Sequence, residues 1–394
     1  MTAPVLEPPP PAPVPAALLG APGRVGGAEP GRITADGAYA ARLVRADGCW
    51  YPERWTLDCA EPYAVPLAGH QPEEPGTGVL PLADGRVLVH RRAAGRHVFA
   101  LLYPTGPDTG EVPLGSVECA GAELTLLPPA PRGSHAYALA AGPRSTAVWL
   151  VAGGSFGPEH LAEIPGRCTG GVWLDRTNRM LAVDRELDGC VKTVAVDLER
   201  GGEVSPLLQI ADGSDDRLLL ADADSGLLLI RSDAPGEPRL GWGVLGSTLP
   251  VRFPECLRFP GRSVTPFAIQ PGQVLTPEAC AVALWARPDG PDGPDAAPDL
   301  LAWRPAERRT HQLATPEGWL TGLGFLTAAG VLRLPYASGA VPCGVAGVEP
   351  PPREARAAGP RGGEGGSGGR GGVPRAARPV PLQQAPLGGR GRGG

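Results

Sequence analysis

The chain has 394 residues, a formal net charge of −5 and only 5% aromatic residues, with 58 glycines and 49 prolines. Glycine and proline together exceed a quarter of the sequence, which suits many turns and excludes a fold built on long helices. No run of about 18 apolar residues occurs, so no membrane-spanning helix is expected.

Residues 1–30 form a Pro/Ala/Gly-rich lead whose clearest apolar patch is Ala16-Ala17-Leu18-Leu19. From Gly31 the chain settles into short strands. The segment from Gly171 to Ile210 is the cleanest: Val172-Trp173-Leu174, Met180 to Val183, Val191 to Val196, and Glu203 to Leu207, each followed by a polar or glycine turn. Four strands joined by tight turns make an antiparallel meander, and a lone meander cannot bury both of its faces.

The rest of the chain supplies copies. The turn Ala35-Asp36-Gly37 recurs 48 residues later as Ala83-Asp84-Gly85. Arg132-Gly133-Ser134, Asn178-Arg179, Ser225-Gly226 and Ala329-Gly330 continue the series. Glycine at such a turn adopts positive φ without steric cost. An apolar second strand and an often aromatic third strand follow each marker. The fourth strand carries an apolar-Pro signature at Pro66, Pro113, Pro165 and Pro206. Proline cannot donate to a strand ladder, so it belongs on an edge strand. Units are expected at about 32–67, 79–117, 124–165, 172–210, 218–253, 264–314 and 320–348.

A period of 40–50 residues with four strands per period resembles the β-propeller repeat proteins, of the WD-repeat or Tol-type kind. The resemblance covers residues 31–348 and rests on period and strand pattern. It implies an all-β fold, a β-propeller of seven four-stranded blades, or six. No Gly-His…Trp-Asp signature selects a subfamily. The last unit has no evident fourth strand, and residues 1–30 are the expected donor of a closing one.

Residues 349–394 change character again. From Pro351 onward there are eight arginines, two glutamates and no aromatic residue, so this basic tail cannot bury enough to order itself. Its Arg-Gly-Gly steps make Arg361, Arg370, Arg390 and Arg392 the candidate contacts for nucleic acid or an acidic partner. The plainer reading is codon bias: Lys192 is the only lysine and Asn178 the only asparagine, as a high-GC, actinobacterial genome would give.

Catalytic patterns are weighed and set aside. Gly365-Gly366-Ser367-Gly368-Gly369 matches a hydrolase nucleophile elbow in letters, but has no strand before it and no helix after it. The six histidines lack metal-ligand spacing; His90 and His97 fall on adjacent strands and are expected to form a structural pair. Asp215-Asp216 and Asp222-Ala223-Asp224 are read as turn caps. Asp289 to Asp295 is read as a polar insert. The eight scattered cysteines, without a Cys-x-x-Cys pair and with no basic, apolar leader at Met1 to Pro15, point to reduced thiols in the cytoplasm.

The expectation is a cytoplasmic, monomeric, non-catalytic scaffold that binds protein partners, with no cofactor. The alternatives are an enzyme or small-ligand or metal binder using the central channel, and nucleic-acid association through the tail.

Overall fold

Short apolar runs separated by glycine turns fold as antiparallel meanders in a computed structural model, which describes residues 31–119, 123–272, 274–289 and 297–352. The first unit comprises β1 (Arg32–Ile33), β2 (Tyr39–Ala46), β3 (Cys49–Thr56) and β4 (Tyr63–Pro66). The second has β5 (Gly78–Pro81), β6 (Val87–Ala93), β7 (Arg96–Pro104) and β8 (Thr109–Val117). The third has β9 (Glu123–Leu126), β10 (Ala136–Ala141), β11 (Ser145–Ala152) and β12 (Glu159–Pro165). The fourth has β13 (Arg167–Trp173), β14 (Met180–Leu187), β15 (Cys190–Asp197) and β16 (Glu203–Pro206). The fifth has β17 (Asp216–Ala221), β18 (Leu227–Ser232) and β19 (Arg239–Val244). The sixth has β20 (Arg262–Ile269), β21 (Val282–Pro288), β22 (Asp299–Trp303) and β23 (His311–Leu313). The seventh has β24 (Phe325–Leu326), β25 (Leu332–Tyr336) and β26 (Gly344–Val348).

The chain is an all-β propeller, but among the described residues it has five complete four-stranded blades where the repeat spacing predicts seven, or six. The fifth and seventh units stop at three strands. After β19 the chain returns beside it only at Arg252, which exchanges both backbone hydrogen bonds with Trp242 at 2.9 Å. Pro250 and Pro254 flank that bridge and prevent its extension into a strand. In the seventh unit β26 runs into Glu349-Pro350-Pro351-Pro352, which cannot turn back as a strand. The expected closing segment, Ala16 to Leu19, lies outside the described residues.

Burial occurs between units rather than within them. Each strand alternates, and its two faces pack against the units before and after it. Leu88, Phe99 and Leu101 of the second unit meet Leu124, Ala138 and Val151 of the third. Val183 and Val194 of the fourth meet Leu139 and Val148 of the third. Ala40, Trp55 and Leu57 of the first unit meet Ala337, Leu320 and Val345 of the seventh, so the two ends of the repeat array pack together. Gly37 lies at that seam. Its φ is 74°, and a Cβ there would stand 2.6 Å from the Phe325 ring, so both the turn and the close approach require glycine.

The marker turns share one device. Asp36, Asp84, Asp175 and Asp222 each accept a backbone N–H two or three residues on, from Ala38, Arg86, Thr177 and Ser225. At the opposite, outer edge, Pro66, Pro113, Pro165 and Pro206 all fall on fourth strands, as the edge-proline pattern requires.

Candidate functional site

The first strand of each unit lines a central channel. Arg32 reaches across it, donating from Nη1 to the carbonyls of Leu126 and Leu127 at 3.1 and 3.2 Å. The antiparallel order puts the first turn of every unit, and the third hairpin of each four-stranded unit, at one end. At that end the channel opens into a cavity of about 670 Å³ lined by Ile33, Trp173, Leu219, Phe267 and Phe325. Asp36, Asp175 and Asp222 stand on its rim. Their carboxylates hold their own turns, so the rim is acidic by the same chemistry that shapes the repeat. Phe156 at the tip of the β11–β12 hairpin is 99% exposed on this end, and Val274, following β20, is 94% exposed.

The other end carries the second hairpins and the linkers between units. There a polar recess of about 590 Å³ lies between the second and third units. Its wall is built by Arg91, whose Nη2 and Nε donate to Glu73 at 2.6 and 3.0 Å while Nη1 donates to Glu111 at 2.5 Å. Hydrogen bonds donated to Glu73 foremost, then to Glu111, hold the Arg91 guanidinium charged against the opposing effect of burial. Glu73 is buried, accepts from Thr77 Oγ1 at 3.1 Å, and bridges to Trp50 in the backbone. This clamp fixes the linker from Gly69 to Thr77.

His90 and His97 meet as expected, Nε2 to Nδ1 at 2.8 Å, with His90 stacked on Phe99 at 5.2 Å between centroids. Burial, then His97 and Arg92, depress the His90 pKa from 6.5 to about 4, so His90 is neutral at neutral pH. His90 is 7% exposed and lines the recess. Arg92, Glu74 and His70 also line it, and none of their side chains has a partner among the described residues.

A third polar cluster escapes a reading of the sequence. Asp216, taken there as a turn cap, is a strand residue with no exposure, and Lys192 Nζ donates to its Oδ2 at 2.7 Å. Ser214 and Ser232 donate to Asp216 Oδ1, and the Ile210 N–H to Oδ2. Burial alone would raise the Asp216 carboxyl; these donors, Lys192 first, hold it below the usual carboxylate range. Thr193 Oγ1 donates to Asp184 at 2.7 Å, where burial raises the carboxyl. Lys192 and Asp216 are also the single parallel pairing that fuses the fourth and fifth units into one seven-stranded sheet. The one signal in the sequence is a lone lysine in an arginine-only chain. Asn178 is likewise more than a turn: with φ 65° it accepts from the Arg132 N–H and donates to the Arg132 carbonyl, tying the fourth unit to the third.

Arg361, Arg370, Arg390 and Arg392 lie outside the described residues, as do Gly365 to Gly369 and most of the insert after Asp289. No three His, Cys, Asp or Glu side chains come together as a metal cluster among the described residues. None of the eight cysteines is joined in a disulfide there, and no described helix is long and apolar enough to cross a membrane.

No family model and no curated protein matches the chain. Solved structures do. Oligogalacturonate lyase from Vibrio parahaemolyticus matches with a TM-score of 0.50 at 11% identity, covering 81% of this chain and 88% of the lyase. The β-propeller domain of the trilobed protease from Pyrococcus furiosus matches at 0.46 and 12%, covering 82% and 94%. Prolyl oligopeptidase B from Galerina marginata matches at 0.46 and 11%, covering 79% of this chain but only 46% of the peptidase. At these identities the likeness shows the propeller fold and nothing of activity, and the WD-repeat assignment gains no support.

Proposed function

We propose that the chain is a non-catalytic scaffold that binds a protein partner at the end of the channel bearing the first turns and third hairpins. The observation that carries this reading is the wide apolar mouth with its aspartate rim, at the same end of the units as the exposed side chains of Phe156 and Val274. Apolar concavities and exposed large apolar side chains both mark interaction surfaces. The rim adds selectivity for a partner segment that mixes apolar and basic side chains. The test is comparative affinity purification from the native host with the wild type and the Phe156→Ser/Val274→Ser variant. Both side chains are solvent-exposed, so the variant folds. A partner reduced by about tenfold or more, roughly 1.4 kcal/mol, supports the reading. An unchanged partner set rejects it.

Two further elements belong to this proposal. Reduced cysteines favour a cytoplasmic setting. Residues 16–19 would supply the fourth strand of the seventh unit: the stretch from Gly20 to Gly31 is similar in length to the linker between β4 and β5. The alternative reading, nucleic-acid association through the basic tail by phosphate neutralisation, predicts that deleting residues 351–394 abolishes a salt-sensitive mobility shift; a shift that survives the deletion excludes it.

A further inference from the structure

The recess between the second and third units lies at the other end of the channel from the proposed partner surface, and its chemistry is different. We propose that it binds a small zwitterion, a free amino acid or short peptide, with Arg92 receiving the carboxylate, Glu74 the ammonium, and His90 Nδ1 a polar atom between them. The recess volume of about 590 Å³ lies within the range of about 300–1,000 Å³ typical of small-ligand sites.

Charge bookkeeping of the wall selects this class. Arg91 is consumed by Glu73 and Glu111. Arg32 is engaged with the carbonyls of Leu126 and Leu127. Glu123 pairs with Arg167 at 3.4 Å. One guanidinium and one carboxylate, Arg92 and Glu74, are left without a partner, so an anion alone would meet an unmatched Glu74 and a cation alone an unmatched Arg92. A ligand carrying both charges matches both. The third group is His90, over nine-tenths buried, whose Nε2 is spent on His97 while Nδ1 has no partner among the described residues. In a neutral imidazole pair the shared proton sits on either ring, so Nδ1 can donate or accept.

The sequence makes room for this. Gly78 pairs with His90 across β5 and β6. A Cβ at Gly78 would stand 3.4 Å from His90 Nδ1 and 3.3 Å from Leu126 Cδ1. Glu74 is presented on a turn closed by the Thr77 N–H to the Glu74 carbonyl at 3.0 Å and by Thr77 Oγ1 accepting from the Glu74 N–H at 3.3 Å. Arg92 follows clamped Arg91 on β6. Both charged groups are therefore carried on backbone held before any ligand arrives, which reduces the ordering cost of binding.

The test is titration calorimetry on the full chain with L-alanine, L-alanyl-L-alanine, its N-acetyl form and its C-terminal amide. Either unmodified probe binding supports the proposal, and which one binds tighter separates amino acid from peptide. Acetylation and amidation should each weaken binding by about tenfold or more, the scale of one charge-assisted hydrogen bond. Arg92→Gln should remove the distinction between acid and amide, and Glu74→Gln the distinction between free and acetylated amine. Both residues are exposed and unpartnered, so both variants fold. Failure of both unmodified probes to bind at millimolar concentration, or equal binding of all four, overturns the proposal. So does affinity indifferent to both substitutions.

Discussion

Two junctions between units are built on opposite principles. The fourth and fifth units are welded by polar groups: Lys192 on Asp216, Thr193 on Asp184, and a parallel backbone pairing that makes them one sheet. The seventh and first units meet through an apolar seam around Trp55, Leu57 and Ala337. A buried ion pair is directional and fails as a unit when one partner goes, whereas an apolar seam loses stability in increments as atoms are removed. The contrast teaches where the ring is rigid and where it opens. The middle of the chain is locked in register, and the join between its ends rests on burial.

The strongest way to break the weld is Asp216→Ala, which leaves the half-buried Lys192 ammonium without its carboxylate and Ser214 and Ser232 without their buried acceptor. We expect a loss of about 3–5 kcal/mol in urea unfolding. A loss below about 1 kcal/mol would show that the pair is screened by water and that the weld is not polar.

Acidification probes a different buried group, between the second and third units. His90 has its folded pKa depressed to about 4 from 6.5. The unfolded chain therefore takes up a proton between those values that the folded chain refuses. Stability is full above pH 6.5 and falls as the pH drops toward 4, by roughly 3 kcal/mol in all. His90→Phe should flatten the pH 4–6.5 limb of the melting temperature profile; an unchanged limb would assign it to carboxylates.

At the seam, Leu57→Ala should cost about 2–3 kcal/mol, at the lower end for a buried leucine because its cluster is small. Native-state hydrogen exchange should then quicken in β2, β25 and β26 while β14 and β15 stay protected. Uniform acceleration across all units would mean the seam is no softer than the weld. The smallest effect is expected for Thr193→Val, about 1–2 kcal/mol, since the hydroxyl serves Asp184 and the Asp216 carbonyl. Near-zero loss there would confine the weld to Lys192 and Asp216.

Much of the fold was legible because its signals are local. Turn glycines at Gly37, Gly85, Gly133, Gly226 and Gly330 all take positive φ, and the prolines on fourth strands mark real edges. Blade completeness was not legible. Val251-Arg252-Phe253-Pro254 imitates the apolar-proline edge signature, yet Pro250 before it leaves a single bridge. The sites were less visible still. Arg91 meets Glu73 and Glu111 from either side in sequence, and Asp216 sits 24 residues from Lys192 on another unit. Such meetings depend on where linkers and strands from separate stretches of the chain are brought together, within a unit for Arg91 and between units for Lys192, which the repeat spacing does not encode. The histidine pair was legible because His90 and His97 flank one hairpin, seven residues apart.

The outer prolines carry a consequence for how copies of this molecule behave beside one another. Pro66, Pro113, Pro165 and Pro206 remove donors from four of the rim strands, so those edges cannot template a foreign strand. β23 and β26 carry no proline, and none of the described residues pairs with their outer sides; the β26 side is the place proposed above for residues 16–19. Lateral growth, whether by an incoming peptide, a neighbouring copy or aggregation, is thus opposed at four rim strands, and with residues 16–19 seated on β26 it is left to the β23 edge.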